Sequence, residues 1–521
     1  MAGGRNPWTI VAVISIATFM TVLDTSIVNV ALDHIAGSLA VSYDEATWIT
    51  TSFLIASAII IPISGWLANV LGRKRYYMIS VGVFTLASLM CGIAPNLGTL
   101  IVARIVQGAA GGGLAAIEQS MLVDTFAPAQ RGMAFAAYGM VVITGPILGP
   151  VIGGYITDNA NWQWCFLINV PVGLLSLFLV HTLVDEPEVL QRERRALLAD
   201  GLKVDVIGFV LVALFFGCLE VTLDRGQQAD WFASPEITAT GIIAVVSLLL
   251  FIPWELTRAA PIVPIRMLAQ RNFGIASIFL LVTGVIIFGT TLFIPQLLQQ
   301  VLGYTATDAG LAMAAGGLAT IVAMPLTGLL TGRVDARLLI GTSFLVQGFA
   351  LLNMSHLNLH MSFSDAALAR MFQAVGIPFL FVPLTNLAYV GLRPDQSNQA
   401  SALMNVARNL GGTIGISTVE TMLTRRQQFH QARLVEQLSP LNPNYSAGLA
   451  RIAKVLTDHG QSAGNAAREA LGVLFGSLQR QSAMLAYIDV FHLLMIMVFA
   501  AIPLLLLMRG KSTDGASAAA P

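Results

Sequence analysis

Long apolar runs recur along the whole chain, and they limit what it can fold into. The first run begins at Trp8 and reads "WTIVAVISIATFMTV" before it reaches Asp24. A helix of about 18 or more apolar residues is long enough to cross the ~30 Å hydrocarbon core of a bilayer. Because a helix satisfies its own backbone polar groups in lipid, the sequence predicts an all-α integral membrane protein.

The composition agrees with a membrane location. Of the 521 residues, 56% are hydrophobic and 11% are charged, whereas soluble domains carry about 25% charged residues. The net charge is zero and no basic tract stands out, so nothing indicates a nucleic-acid partner. The three cysteines, Cys91, Cys165 and Cys218, all lie in apolar segments and predict neither a disulfide framework nor a metal site. We therefore expect no cofactor.

Fourteen membrane spans are predicted from these runs. They cover residues 8–31, 46–69, 76–95, 98–121, 133–156, 163–184, 204–222, 236–257, 272–297, 309–331, 337–356, 366–390, 399–422 and 485–508. The first run is too long for a cleavable signal peptide and has no convincing cleavage site, so it is predicted to be the first span.

An internal repeat groups the spans. The stretch "ARIVQG", 103–108, resembles "ARMFQA", 369–374, at an offset of 266 residues. The stretch "GWLANVLGRKR", 65–75, weakly resembles "GLLTGRVDARL", 328–338, at an offset of 263. These offsets pair spans 1–6 with spans 9–14 and leave two spans between them. Paired six-helix halves with a site between them are typical of alternating-access transporters.

The repeat predicts a 6 + 2 + 6 architecture. Its parts are a six-helix bundle at 1–184, a cytoplasmic linker at 185–203, two inserted helices at 204–257, a second bundle at 258–508 that includes a long loop at 423–484, and a tail at 509–521. Orientation follows from Lys and Arg in the short loops: seventeen lie on the side of the N-terminus and one on the other. Both termini are therefore predicted to be cytoplasmic.

Two opposite charges are predicted at nearly the same depth in the membrane. Asp24 lies roughly 24 Å from Trp8, and Arg104 lies roughly 21 Å from the inner face. An isolated charge in a spanning helix costs several kcal/mol and usually has a function. Burial opposes the ionised carboxylate and an adjacent arginine favours it, so a pair could take up and release a proton. The alternatives are a wet carboxylate near the outer interface and an arginine that only binds backbone carbonyls.

Three other charged residues inside spans have two interpretations each. Arg370, the counterpart of Arg104 in the repeat, is either functional or structural. Arg408 is predicted to anchor packing or a loop. Glu118 lies about twenty residues into its span, so it is either a solvated helix end or a second carboxylate of the cavity.

Small residues and prolines mark the fifth span. Gly145, Gly149 and Gly153 recur every four residues, a spacing that lets helices approach closely. Pro146 and Pro150 remove backbone donors and favour a bend. Packing alone would also explain this pattern.

Six motifs occur in an order and spacing that resemble the fourteen-helix drug/proton antiporter branch of the major facilitator superfamily. They are "LDTSIVNVA" at 23–31, "GWLANVLGRKR" at 65–75, "LIVARIVQGAAGG" at 100–112, "GPILGPVIGG" at 145–154, "WQWCFLINVPVG" at 162–173 and "NVARNLGGTIG" at 405–415. The resemblance covers nearly the full length. It implies that helices 1 and 4 line a central cavity between two halves.

The resemblance also assigns roles to residues. Those implied are proton coupling for Asp24 and roles as charge partners within the cavity for Arg104, Arg370 and Glu118. The motif positions are a gating loop motif with Gly65, Asn69, Gly72 and Arg73, an antiporter helix motif with Gly145, Pro146, Gly149, Gly153 and Gly154, and further positions at Asn29, Asn405 and Arg408. Asn69 departs from the family, which usually has an acidic residue there, so gate charge pairing at this position is in doubt.

The function implied is proton-coupled export of drug-like amphipathic compounds across a bacterial inner membrane. The loop at 423–484 has apolar residues at helical spacing, such as Leu449, Ile452 and Leu456, and predicts a partly helical protrusion. In such pumps a periplasmic adaptor passes substrate to an outer-membrane channel, so we expect this loop to be a docking surface; a flexible linker is the alternative.

Other functions remain open at this stage. One is an exporter of a dedicated endogenous metabolite or fatty acid. Another is a membrane-embedded acyltransferase that uses His360 and Asp365 of "HMSFSD", and a third is a receptor that does not transport. The "GKS" at 510–512 lacks the glycine of an ATP-binding loop, so an ion gradient is the expected energy source and no enzymatic activity is predicted.

Overall fold

The structure is a computed structural model that describes residues 6–186, 191–192, 194–195, 205–258, 261–390, 392, 396–439 and 441–508. Within these ranges the chain is helical, and its only β-type pairing is an isolated bridge between Thr331 and Val334. The predicted tail at 509–521 and most of the predicted linker at 185–203 lie outside the described residues.

Sixteen helices of twelve residues or more occur in the described ranges. They are α1 (Pro7–Leu39), α2 (Trp48–Leu71), α3 (Arg73–Gly92), α4 (Leu97–Gly111), α5 (Leu114–Thr125), α6 (Pro128–Asn159), α7 (Asn169–Leu183), α8 (Val206–Arg225), α9 (Pro235–Thr257), α10 (Arg271–Gln296), α11 (Ala306–Leu330), α12 (Ala336–Met354), α13 (Phe363–Ala388), α14 (Ser397–Val435), α15 (Pro443–Asp458) and α16 (Ala463–Ala501).

The all-α membrane class is confirmed, but the number of spans is not. Each predicted span coincides with a helix, and α4 and α5 together form one of them. Twelve helices in the described ranges are long and apolar enough to cross a membrane. The two that fall short are α3, which begins with Arg73, Lys74 and Arg75, and α14, which carries Arg408 and Glu420. Fourteen spans therefore remain a prediction.

The two halves pack their helices in the same pattern. In the first half α1 packs along α6, α2 against α4, and α3 against both α4 and α7. In the second half α10 packs along α14, α11 against α13, and α12 against both α13 and α16. These are equivalent pairs when α1 is matched with α10, so the packing repeats where the sequence does.

The halves meet mainly along two pairs of helices, α6 with α11 and α2 with α14, and also where α14 contacts α5 and α13 contacts α6. The approach is closest at the end where α2 passes into α3. A Cβ atom on Gly65 would lie 2.8 Å from the Cα of Gln399, and one on Gly132 would lie 2.8 Å from the Cβ of Thr331. This end, predicted to be cytoplasmic, is closed. The inserted helices α8 and α9 pack on each other, and α8 also contacts α2 and α14.

The small residues of the fifth span bring α6 against α1. A Cβ atom on Gly145 would lie 2.7 Å from Val22, one on Gly153 would lie 3.3 Å from Ile27, and one on Gly149 would collide with Ser26. Gly154 has open space beside it, and Pro146 is exposed. The helix is uninterrupted from Pro128 to Asn159. The glycines thus fix the position of the first helix, which carries Asp24.

The helical character predicted for the loop at 423–484 is confirmed by the bounds of α14, α15 and α16, and we call this region the protrusion. The two long helices have 39 residues each, or roughly 58 Å. Because the hydrocarbon core is only ~30 Å thick, both extend well beyond it. Helix α15 packs against α16. The stretch "SPLNPN", 439–444, includes part of the gap between α14 and α15, although Pro440 lies outside the described residues.

Candidate functional site

Asp24 is fully buried on α1 and holds three side-chain donors. Nη1 of Arg104 lies 2.6 Å from Oδ2 of Asp24. Nδ2 of Asn169 and Nε2 of Gln107 donate to Oδ1 at 2.7 Å and 3.0 Å. A buried charge of this kind is retained only when it is paired and hydrogen-bonded. The three donors supply the pairing and hydrogen bonds that a buried carboxylate requires.

Arg104 of α4 is also fully buried and has partners besides Asp24. Its Nε donates to the carbonyl of Ile49 at 3.0 Å, and its Nη1 also donates to Oε1 of Gln107 at 2.6 Å. The guanidinium lies 4.2 Å from the centre of the Phe53 ring, a favourable cation–π position. The interpretation that Arg104 only binds backbone carbonyls is therefore wrong, since the guanidinium binds the Asp24 carboxylate as well as one backbone carbonyl.

Gln107, Asn169 and Ser88 are site residues that the sequence reasoning missed. Gln107 donates to Oγ of Ser88 at 2.8 Å and so connects the pair to α3. Two signals were present: Gln107 and Asn169 lie inside quoted motifs, and Gln107 recurs as Gln373 at the repeat offset. Ser88 has no comparable sequence signal.

The surroundings of Asp24 differ from what the sequence and the resemblance implied. The wet-carboxylate interpretation is wrong for this conformation, because none of the side chain is exposed. The carboxyl faces α4 and α7 within the first half and does not face a cavity between the halves. The donors of Arg104, Gln107 and Asn169 take the place of water, as buried polar groups require.

The second half contains a counterpart without a carboxylate. Arg370 is 7% exposed and donates to Gln373, to Thr290 at 3.3 Å and to Thr291 at 3.3 Å. Gln373 in turn donates to Oγ1 of Thr290 at 3.0 Å. The offset of 266 that relates Arg104 to Arg370 also relates Asp24 to Thr290. A hydroxyl therefore occupies the place of the acid.

Glu118 of α5 is fully buried, so its interpretation as a solvated helix end is wrong. Its Oε2 accepts from the Thr18 hydroxyl at 2.5 Å, and its Oε1 accepts from the Thr18 backbone N–H at 3.1 Å. The Tyr138 hydroxyl lies 3.2 Å from that of Thr18. Thr18 precedes Asp24 by six residues on α1, which is about 9 Å along the axis. Glu118 and Asp24 are therefore separate sites.

The loop motif between α2 and α3 lies at the closed end between the halves. Arg73 is 1% exposed, pairs with Asp124 and donates to the Ser397 hydroxyl at 2.8 Å. Asn69, the departure from the family, accepts from Nδ2 of Asn398 at 2.5 Å. An amide pair thus joins the halves at a position where the family usually has an acid.

The two glycines of this motif are needed for different structural reasons. Gly65 permits the close approach to Gln399 described above. Gly72 has φ of 87°, a left-handed value that favours glycine, and it ends α2. The backbone N–H of Arg73 then donates to Glu186 at 3.0 Å. The turn therefore places the buried arginine.

The remaining motif residues are spread over the molecule. Asn405 of α14 donates to Gln119 of α5 at 3.0 Å, a further contact between the halves. Arg408 donates to Asn405 at 2.5 Å, which agrees with a packing role. Asn29 is exposed, and its closest partner is the Thr50 hydroxyl at 3.5 Å. Neither Asn29 nor Asn405 contacts Asp24.

These geometries support proton chemistry. A carboxyl group paired with an arginine can take up a proton, and Arg104 would then lose its main partner. Among the described residues, no three His, Cys, Asp or Glu side chains group as metal ligands.

Comparisons with known proteins agree with this arrangement. The sequence model of the Major Facilitator Superfamily matches residues 14–416. The multidrug export protein EmrB of Escherichia coli K12 is 39% identical over 435 residues, which is 83% of each chain. The fatty acid resistance protein FarB of Neisseria gonorrhoeae is 35% identical over 515 residues, which is 99% of this chain and 98% of FarB.

Solved structures share the fold at low sequence identity. The human organic anion transporter MFSD10 matches with a TM-score of 0.58 and 12% identity, covering 95% of this chain and all of that one. The proton:xylose symporter XylE matches with a TM-score of 0.58 and 13% identity, covering 95% and 96%. At these identities the likeness shows the fold alone.

Proposed function

Because the chain belongs to the Major Facilitator Superfamily, we propose that it exports drug-like amphipathic compounds by alternating access, coupled to inward proton flow. The similarity to multidrug export protein EmrB, and to the probable multidrug resistance protein EmrY at 37% identity over 85% of each chain, supports drug efflux. The coupling to protons rests on the family and on the site itself.

The observation that carries the coupling is the buried pair of Asp24 and Arg104. A proton on Asp24 would remove the charge that holds Nη1 of Arg104 at 2.6 Å. The guanidinium would keep its contacts to Ile49 and Gln107, both within the same half. Protonation therefore changes the charge between α1 and α4 while the rest of the cluster stays in place. A change of this kind can bias one conformation over another.

The contacts between the halves supply the other element of alternating access. Arg73 with Ser397, Asn69 with Asn398, and Asn405 with Gln119 all cross from one half to the other. These contacts lie near the closed end, where α2 ends and α14 begins. For substrate to be loaded from the cytoplasm these three contacts must break.

A proton gradient is energetically adequate. One elementary charge that moves through 100 mV releases ~2.3 kcal/mol, and each pH unit adds ~1.4 kcal/mol. A few hydrogen bonds across the closed end are each worth about 0.5–1.5 kcal/mol net. Entry of one proton can therefore offset the loss of several such contacts.

The location and the partners of the pump are part of the proposal. The chain is a multi-pass membrane protein, and we place it in a bacterial inner membrane with both termini in the cytoplasm. The protrusion of α14, α15 and α16 then faces the periplasm. It would receive the adaptor that leads to an outer-membrane channel.

Export of one dedicated fatty acid is the second candidate. The likeness to fatty acid resistance protein FarB extends over almost the full length of both chains, which favours it. Competition between labelled drugs and fatty acids in cells that carry this protein separates the two candidates. Mutual inhibition by unrelated drugs supports the multidrug function.

Nothing in the arrangement of His360 and Asp365 favours an acyltransferase. Asp365 accepts from the backbone N–H and the hydroxyl of Ser362 at 2.9 Å and 2.7 Å, which caps the start of α13. The His360 backbone N–H donates to Asn358 at 2.8 Å. The His–Asp spacing is thus explained by a helix cap and a turn.

The direct test is proton release from the purified protein in weakly buffered detergent. A substrate that competes with the proton on Asp24 should release protons on binding, and Asp24→Asn should not. Drug binding without proton release in the parent protein would contradict the coupling and leave the drug-binding function standing.

A further inference from the structure

A cavity of about 460 Å³ lies away from the Asp24 site, beside the connection between α8 and α9. Leu223 at the end of α8, Trp231 of the connection and Met422 of α14 form its apolar walls. The volume lies in the range of small-molecule sites, about 300–1,000 Å³. Since α14 extends from here toward the protrusion, the cavity lies at the end of the molecule opposite the closed end.

Two hydroxyls in the cavity wall have no partner. Ser417 is 3% exposed, and its Oγ makes no hydrogen bond among the described residues. Thr421, one turn further along α14, has a buried Oγ1 in the same condition. An unsatisfied buried hydroxyl costs about 1–3 kcal/mol. A polar group of an occupant would remove this cost.

The wall opposite α14 is held in a strained conformation. Asp230 and Trp231 have φ of 56° and 51°, left-handed values that are unfavourable for residues other than glycine. The Trp231 backbone N–H donates to the carbonyl of Gly226 at 2.6 Å, and its indole N–H donates to Gln227 at 3.0 Å. A Cβ atom on Gly226 would lie 2.8 Å from the indole ring. Strain of this kind clusters at binding sites.

The described lining of the cavity includes two arginines. Arg425 is exposed at its mouth and has no ion-pair or hydrogen-bond partner among the described residues. Arg426 also lines the cavity, but its Nε lies 2.5 Å from Oδ2 of Asp489. No carboxylate belongs to the described lining, and Asp224 nearby accepts from the Thr51 hydroxyl at 2.5 Å instead. One guanidinium is thus left to attract an anion.

We propose that this cavity binds an anionic amphiphile, with its apolar body between Trp231 and Met422 and its acid group on Arg425. The hydroxyl of Thr421, one helical turn before Arg425 on α14, would donate to the same acid group. A single-chain carboxylate and an anionic phospholipid share this chemistry. The proposal concerns a site separate from Asp24, so it does not depend on proton coupling.

The test uses fluorescence of Trp231 in the full-length protein, held in nanodiscs of zwitterionic lipid. A brominated fatty acid quenches only indoles that it contacts, and Trp231→Phe supplies the signal to subtract. We expect saturable quenching of Trp231. Arg425→Gln should weaken it about tenfold, since a charge-assisted contact is lost. Ser417→Leu should block it by filling the cavity.

Matched controls separate the site from general effects. Arg433→Gln makes the same charge change on the same helix, at a side chain that is outside the cavity lining and 3.7 Å from Glu436. It should bind as the parent protein does, and so should Asp24→Asn. Thermal melts of all variants identify any that misfold. If Ser417→Leu misfolds, the milder change Thr421→Val replaces it, and weakened quenching of Trp231 is expected.

The two sources of the anion are distinguished by a second arm with nanodiscs that contain brominated phosphatidylglycerol. If the brominated phospholipid quenches Trp231 and free fatty acid does not displace it, the ligand is a phospholipid. If only the brominated fatty acid quenches Trp231, the ligand is a single-chain amphiphile. Either result supports the site. Equal quenching by a brominated cationic amphiphile, or equal binding by Arg425→Gln and Arg433→Gln, would overturn it.

Discussion

Each half of this protein contains a buried arginine–glutamine pair, but the residue that both side chains contact differs between the halves. Arg104 and Gln107 of the first half correspond to Arg370 and Gln373 of the second, and both arginines hydrogen-bond to their glutamines. In the first half the shared neighbour is the carboxylate of Asp24, but in the second it is the hydroxyl of Thr290.

This difference separates a fixed charge from one that can be switched. Arg370 keeps its charge whether or not protons are available, because threonine does not titrate and a guanidinium stays protonated. A proton on Asp24 would leave the charge of Arg104 without its partner. On the proposed function, this difference places proton sensing in the first half and a constant charge in the second.

The largest effect is expected from Asp24→Asn, which keeps the size of the side chain but removes ionisation. Proton-driven efflux should fall to background, while expression and folding survive because the amide can still accept from Asn169. The measurement is efflux from cells at matched protein levels. Thr290→Asn makes the equivalent change in the other half and serves as the control. Equal efflux by Asp24→Asn and the parent would refute the switch.

A second comparison uses the protrusion, which the second half has and the first lacks. Replacement of 428–480 by a short Gly/Ser linker should abolish resistance in cells and co-purification with an adaptor. Drug binding and proton coupling in reconstituted vesicles should persist, because Asp24 and the contacts between the halves are untouched. Unchanged cellular resistance would exclude the docking role.

Removal of each arginine should affect stability unequally. Arg104→Met leaves the buried Asp24 carboxylate without its cation, which costs about 3–5 kcal/mol. Arg370→Met leaves only the hydroxyl of Thr290 and the amide of Gln373, so about 1–2 kcal/mol is expected. Thermal melts in detergent measure the two losses. A larger loss for Arg370→Met would reverse the assignment of the paired site.

A smaller, more specific effect is expected from Arg104→Lys, which keeps the charge but loses the planar fork. One ammonium cannot reach Asp24, Gln107 and the Ile49 carbonyl together, so the proton affinity of Asp24 should change and drug binding should shift along the pH axis. Arg370→Lys should leave the pH profile in place. A loss of thermal stability without any pH shift would show that Arg104 only ties up the backbone.

The smallest effect is expected at the closed end. Asn69→Asp restores the acid typical of the family, and Nδ2 of Asn398 can still donate to it. Transport should change by less than about twofold, since the hydrogen bond from Asn398 is kept and Asn69 itself is partly exposed. Vesicle transport rates test this. A loss comparable with that of Asp24→Asn would show that the amide pair itself is essential.

Much of this architecture could be predicted because it depends on local patterns. The apolar runs specify helices in lipid, and the offset of 266 relates two halves whose packing then repeats. The depth of Asp24 and Arg104 along their helices was enough to suggest that they meet. The helical protrusion also followed from spacing along one segment.

What only the tertiary structure decided is which side chains from distant segments share one space. Asn169 is 145 residues from Asp24, and no local pattern states that its amide lies 2.7 Å from that carboxylate. Depth along a helix could not decide between the two interpretations of Glu118, because it says nothing of which face is covered. Thr18 and Tyr138 cover that side chain. The cavity at Trp231 depends on the way that a strained turn meets another helix. Periodicity is a property of single segments, whereas the direction and the neighbours of a buried side chain are set only when helices pack.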